Sequence, residues 1–327
     1  MLRALGVAGA VTAVGRSEEQ LSAEARPLAG RRAGVSDPGP GGRQGQSKKP
    51  WPVRGSEAFE LESKEVGDTM AVGVWQPDPQ LLAFRGVAAG EKLNVVYVLD
   101  GSWALGIAAA VCALQLADLV RPGFPPLLLV GVDYPEGRPN ARSRDYTMKD
   151  SVPKAMAQAM AATPATAAGG ADKFLAFLEK ELDPLIRSRY NTKPGPAGIL
   201  GDSFGGTFTF YAFLKQSPLF NKYWLGSPGL FTTDTDYIGQ VEKVVAGELV
   251  YDTRMFLSSG ELEGNGGVSL YEDMGRNFAR LVGVLDKRRN ARLTYQSKRY
   301  PGHTHTTVLA PAINDALLYL YGPHFPG

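Results

Sequence analysis

From residue 56 onward, two hydrophobic periodicities take turns along the chain. Short stretches with apolar residues at every second position, or at every position, predict strands; longer stretches with apolar residues three and four apart predict helices. "FELESKE" and "TMAVGVWQP" read as an opening antiparallel pair turning at Gly67-Asp68. "LNVVYVL" (93–99) and "PLLLVGVDY" are continuous apolar runs, as expected of strands buried on both faces, with an Ala-rich helix through Cys112 between them. A polar loop is expected over 135 to about 152. In "ADKFLAFLEKELDPLI", Leu175, Leu178, Leu182 and Leu185 share one helical face, and Pro184 is expected to bend or end the helix.

The second half repeats the scheme. "PAGIL" is a short strand and "GGTFTFYAFLKQ" a helix. "KYWLGS", "TRMFLSSG" and "ARLTYQSK" are strand candidates, separated by helical patterns near 236–246 and 268–285. "TTVLAPAINDALLYLYG" predicts a final helix. Strands alternating with helices of this length predict an α/β fold: a mostly parallel sheet with right-handed crossovers and helices on both faces. Residues 55–327 fit one domain.

The N-terminal segment breaks the pattern. Residues 1–54 carry nine Lys/Arg against four Asp/Glu, and "GRRAGVSDPGPGGRQGQSKKPWPVR" has almost nothing to bury. It reads as a disordered or loosely attached basic tail. "MLRALGVAGAVTAVGR" is a weak candidate targeting segment, too short and too poor in Leu and Phe for a strong one, so a cytoplasmic location is the favoured expectation. No stretch approaches the length of a membrane span.

Composition narrows the chemistry mainly by exclusion. A net charge of +2 makes no case for a nucleic-acid partner. One cysteine, Cys112, rules out an intrachain disulfide framework and a cysteine-rich metal site, and its apolar helical setting reads as core. No metal-ligand spacing and no Gly-rich phosphate loop after a strand occurs, so neither metal nor cofactor is expected.

What remains is "LGDSFGG", residues 200–206, where Ser203 sits among Gly201, Gly205 and Gly206 between a predicted strand and a predicted helix. That is the context of a nucleophile elbow. A serine hydroxyl needs an adjacent base, and the chain has three histidines: His303 and His305 in "YPGHTHTTVL", and His324. The pair follows a late strand, at the sheet edge where ligands bind in such folds. Glu261 and Glu263, after "TRMFLSSG", are candidate acids; Asp202 is a weaker one. The order serine, acid, histidine is that of α/β-hydrolases.

"VVYVLDGSW", "VGVDYPEGRPNARSRDYTM", "GGADKFLAFLEKELDPLIRSRY", "GDSFGG", "NKYWLGSPGLF" and "YPGHTHTTVLAPAINDALLYLYG" together resemble the putative-esterase branch of the α/β-hydrolases. That branch includes siderophore trilactone esterases, S-formylglutathione hydrolases, feruloyl esterases and mycolyltransferases. The resemblance runs from about residue 56 to 322 and is greatest to the siderophore-esterase-like group. It implies an α/β-hydrolase fold with Ser203 as nucleophile. The block Pro-Gly-x-x-His-x-Thr/Ser-Val places the base at His305, with Pro301, Gly302, Thr307 and Val308 in register. Glu263 is the implied acid and Glu261 the second choice, although some siderophore esterases work with a Ser–His pair and no strong acid.

An oxyanion requires preorganised donors. The Phe204 N–H directly after the nucleophile supplies one expectation; by resemblance to the mycolyltransferases, the residue after Asp-Gly, Ser102, supplies the other. Trp103 and Tyr134 are candidates to line the acyl pocket or simply to pack at strand ends. Arg144 either pairs with Asp145 or, by the siderophore-type resemblance, meets an anionic substrate. The expected activity is serine carboxylic-ester hydrolysis of a small-molecule ester, siderophore-type among them. The alternatives are an acyltransferase of the same fold and a catalytically inactive binding protein. Removal of residues 1–54 is expected to leave esterase activity and the thermal midpoint nearly unchanged, measured by ester turnover and calorimetry on the truncated protein.

Overall fold

The structure, a computed structural model, describes residues 53–120, 124–161 and 167–322. The expectations for the basic tail and the targeting segment therefore lie outside the described residues, apart from Val53 and Arg54, as does His324. Eight strands form one sheet: β1 (Ser56–Ser63), β2 (Asp68–Trp75), β3 (Asn94–Leu99), β4 (Leu127–Asp133), β5 (Ala197–Asp202), β6 (Phe220–Gly226), β7 (Thr253–Gly260) and β8 (Leu293–Tyr300). Their spatial order is β1-β2-β4-β3-β5-β6-β7-β8. β2 is antiparallel to both β1 and β4, and every later pairing is parallel. This mostly parallel sheet with its antiparallel edge is an α/β-hydrolase fold.

The helices are α1 (Pro79–Phe84), α2 (Gly101–Ala117), α3 (Arg142–Tyr146), α4 (Lys154–Met160), α5 (Ala171–Phe177), α6 (Asp183–Arg189), α7 (Phe204–Leu214), α8 (Tyr237–Ala246), α9 (Ser269–Lys287) and α10 (Leu309–Tyr321). Alternation along the central strands divides the core into two layers. Val96 and Val98 of β3 join Leu129, Trp224 and Phe256 under α2 and α10. Val95, Tyr97 and Leu99 face the other way, into the larger layer beneath α5, α7, α8 and α9. Cys112 is buried in the first layer, and burial pushes its thiol far above the ordinary range, as expected for a core residue.

Four elements differ from the sequence reading. The expected polar loop at 135–152 contains α3, and Asp145, Tyr146, Thr147 and Met148 are buried. The short helices α1 and α4 have too few turns to show a clear period. Pro184 does not end its helix. A π turn over Leu178–Leu182 joins α5 to α6, so the wider turn accommodates a residue that has no N–H and whose ring crowds the preceding carbonyls. The buried stripe runs Leu175, Leu178, Leu182 and then Ile186, while Leu185 is only half-buried.

The difference between these two neighbours is measurable. Ile186→Ala is expected to cost about 2–5 kcal/mol of stability in urea denaturation, as for any large-to-small change in a packed core. Leu185→Ala is expected to cost about 1 kcal/mol. The reverse order would mean that Leu185, not Ile186, faces the core.

Candidate active site

β5 ends at Asp202 and α7 begins at Phe204, leaving one residue, Ser203, to make the turn. Its backbone sits at φ 58, ψ −121, a region that a side-chain-bearing residue occupies only when its surroundings force it. The forcing contacts are backbone ones. A Cβ on Gly201 would lie 2.2 Å from the Gly205 carbonyl oxygen, and one on Gly206 would lie 2.5 Å from that of Gly226. The two glycines let α7 press onto β5 and β6. Ser203 is further held by its N–H donating to the Gly226 carbonyl at 2.9 Å.

The Ser203 hydroxyl meets His305 Nε2 at 2.9 Å. His305 comes from the loop between β8 and α10, which is fastened to the end of β7 by the Leu262 N–H donating to the His303 carbonyl at 3.0 Å. The other ring nitrogen, Nδ1, is buried and has no hydrogen-bond partner; Glu263 Oε2 lies 3.6 Å away. Glu263 is only 2% exposed. Its Oε1 accepts hydrogen bonds from the Ser227 hydroxyl (2.6 Å) and the Gly260 N–H (2.9 Å). Ser227 itself has a left-handed backbone, φ 35, with its hydroxyl directed at the carboxylate.

Electrostatics in this cluster are dominated by burial and by mutual charge. Burial favours the protonated form of Glu263, but His305 and the two donors on Oε1 outweigh it and lower its pKa below the ordinary carboxylate range. Burial opposes charging of His305; Glu263 and Asp202 outweigh that, Arg142 opposing, and raise the imidazole above its ordinary 6.5. Asp202 is pushed up to about 7, chiefly by burial, with His305 and Arg142 pulling it down and Glu263 and Asp100 pushing it up. Its Oδ1 has no hydrogen-bond partner.

The remaining candidates divide. His303 is turned away from the serine, its Nδ1 on the Thr307 carbonyl at 3.0 Å. Glu261 accepts from the Gly302 N–H at 2.9 Å. Phe204, as the first residue of α7, has an N–H with no acceptor inside its helix. Ser102 is different from expectation: its N–H donates to Asp133 Oδ2 at 2.7 Å, and its hydroxyl binds the same oxygen. That amide is engaged by a carboxylate and is not left free for an oxyanion. Trp103, beside it on α2, is 57% exposed.

Arg144 is not brought to the serine. Its guanidinium is fixed by Asp145 (2.7 and 2.9 Å) and Asp68 (3.2 Å), and the Tyr134 hydroxyl donates to the same Asp145 carboxylate at 3.1 Å. Tyr134 and Arg144 thus belong to one polar network around a buried aspartate. The arginine at the site is Arg142, which the sequence reading passed over. It bonds both oxygens of Asp100 (2.5 and 2.9 Å) and the Asp202 carbonyl (3.1 Å), with the rings of Phe204 and Tyr146 within 6 Å of its guanidinium. Two positions along a helix is about 200°, so Arg142 and Arg144 leave α3 on opposite sides. The spacing says only that the two arginines part, not which of them reaches the serine turn. A concavity of about 740 Å³ at the other end of α7, by Tyr211, Lys215 and Lys243, contains none of these groups.

Comparison with known proteins places the chain. The sequence model of the Esterase family, described as "Putative esterase", matches residues 63–318. The chain is 25% identical over 236 residues to the ferri-bacillibactin esterase BesA of Bacillus subtilis, covering 71% of this chain and 80% of that protein. It is 27% identical over 199 residues to the siderophore triacetylfusarinine C esterase of Aspergillus fumigatus, covering 57% and 60% respectively. Among solved structures, an IroE-like serine hydrolase from Shewanella oneidensis superposes with a TM-score of 0.66 at 25% identity, over 81% of this chain and 80% of that one. The match to the family model spans most of the chain, and the protein belongs to this family of carboxylic-ester hydrolases.

Proposed function

We propose that the protein hydrolyses small-molecule esters through an acyl-enzyme on Ser203, with His305 as the base and Glu263 as the acid behind it. The observation that carries this reading is the 2.9 Å approach of His305 Nε2 to a serine hydroxyl presented on a strained strand–helix turn. His305 accepts the Ser203 proton as Oγ bonds to the ester carbonyl carbon. The carbonyl oxygen becomes an oxyanion facing the Phe204 N–H at the start of α7. As the C–O bond breaks, His305 Nε2 returns the proton to the leaving alcohol. Water then attacks the acyl-enzyme with the same histidine as base, releasing the acid and restoring Ser203. Glu263, held ionised by its own donors, stabilises the imidazolium at 3.6 Å. Ser102 is not assigned a role, its amide being bound to Asp133.

Siderophore-type esters are the substrate class we put first, because both curated relatives above are named for them. A panel of p-nitrophenyl esters of graded chain length, run beside catecholate trilactones and hydroxamate esters, tests the assignment. Activity confined to short acyl chains with none on either siderophore class would overturn it.

Ser203→Ala is expected to abolish turnover and labelling by a fluorophosphonate while leaving the thermal midpoint within a few degrees. Turnover retained by that variant would remove the serine from the mechanism. His305→Ala should cost on the order of 10³-fold or more in kcat, and His303→Ala less than about tenfold.

The pH profile has a definite sign. The base works only when neutral, and its raised pKa places the acid limb of kcat/KM above pH 6.5; activity falls as pH drops through it. Glu263→Gln removes a charge favouring the imidazolium, so the limb should move to lower pH while the plateau falls at least about tenfold. Glu261→Gln should leave the limb in place.

A further inference from the structure

The plane of the His305 ring is held weakly by its hydrogen bonds. In a serine–histidine–aspartate arrangement, a bond from Nδ1 to the carboxylate fixes the tautomer and orientation of the imidazole. Here Nδ1 has no hydrogen-bond partner, and the carboxylate stands at 3.6 Å, beyond normal N–H···O reach. With Glu263 paired only at that longer distance, the ring plane is fixed less tightly than a short Nδ1 bond would fix it.

A second constraint lies against its face. The ring of Tyr271 stacks on the imidazole with centroids 4.6 Å apart and planes 23° from parallel. Tyr271 is one turn into α9, in line with Met274, Phe278, Leu281 and Leu285, which are buried at spacings of four, three and four. The stripe that anchors α9 in the core therefore also sets the position of this ring. α9 in turn packs against the turn carrying Glu263: a Cβ on Gly275 would lie 3.1 Å from Gly264 Cα.

We infer that Tyr271 is a positioning residue for His305: its ring face holds the imidazole plane toward Ser203 and stabilises the imidazolium that forms when the serine proton is taken. The inference rests on the Ser203–His305 pair proposed above. An aromatic face attracts a cation within about 6 Å of its centroid, and this one supplies to the imidazolium what the distant carboxylate supplies incompletely. Glu263 and Asp202 favour the same charged form and Arg142 opposes it.

The test compares Tyr271→Phe with Tyr271→Leu in the full chain. The phenylalanine keeps the ring face, and kcat and the acid limb should stay within about twofold and 0.2 pH units of wild type. The leucine keeps bulk without a ring face. It should lower kcat about five- to thirtyfold with KM within about threefold, and move the acid limb down by about half to one pH unit. A leucine variant with wild-type kcat and limb would overturn the inference, as would a phenylalanine variant that loses both. Should the leucine variant fail to fold, Tyr271→Trp decides: its ring face should hold the limb at or above the wild-type position, and a downward shift would count against the proposal. A fluorophosphonate labelling of wild-type protein, read by mass spectrometry at Ser203, separates the two readings. Absence of label defeats the serine–histidine assignment and this inference with it; label together with an unshifted leucine variant defeats this inference alone.

Discussion

Everything at the site depends on how closely α7 can approach β5 and β6. With a hydrogen atom in place of a methyl, Gly201 of β5 meets the Gly205 carbonyl of α7 and Gly206 of α7 meets the Gly226 carbonyl of β6, and Ser203 is left to turn the chain in a single strained residue. A φ of 58 with ψ of −121 in a non-glycine residue costs on the order of 1–3 kcal/mol. The cost is offset by the packing of α7, whose Phe208, Phe210 and Ala212 are fully buried. Strain at one residue is thus held by burial along a whole helix, and the direction of the serine hydroxyl is fixed before any partner reaches it.

Arg142 connects that turn to the next one. The Asp100 carboxylate belongs to the β3–α2 turn and the Asp202 carbonyl to the β5–α7 turn; one guanidinium bonds both. The bond to Asp100 offsets the desolvation of the cation, as a partly buried charge requires. The site therefore combines Arg142 and Glu263, whose charged forms their partners favour, with two titrating groups: Asp202, pushed up to about 7 by burial, and His305, raised above its ordinary value by Glu263 and Asp202. The charged pair maintains geometry and field while the titrating pair responds to pH.

The central strands β3 and β4 were legible because they are buried on both faces and read as unbroken apolar runs, and the edge pair β1 and β2 because apolar residues alternate along it. The helix through Leu175, Leu178 and Leu182 was legible for the converse reason, its single stripe. The π turn was not: an inserted residue has no signature of its own, and Leu185 and Ile186 are equally apolar, so composition could not say which one points inward. The turn at Ser203 could be read from its glycines and their setting. Which arginine of "ARSRDYT" reaches the turns could not, since α3 is too short to show a period. Nor could the engagement of the Ser102 amide by Asp133, because a main-chain donor has no side-chain signal. The Tyr271 stack was hidden in a helix whose period marked that residue simply as core-facing.

The order of the strands has a consequence for how the protein is made. From β5 to β8, neighbours in the sheet are also successive in the chain. The sheet can therefore grow outward at that edge in the order of synthesis, each parallel strand added by its own crossover. Ser203 lies at the fifth strand, but the histidine that meets it is 102 residues later, beyond the eighth. Under the proposed mechanism, a chain still emerging can form its serine turn and remain chemically inert. Hydrolytic competence would then arrive only when the outermost strand has been laid down and the loop after it has closed over the sheet, so activity in a nascent chain would report that the last long-range contact has formed.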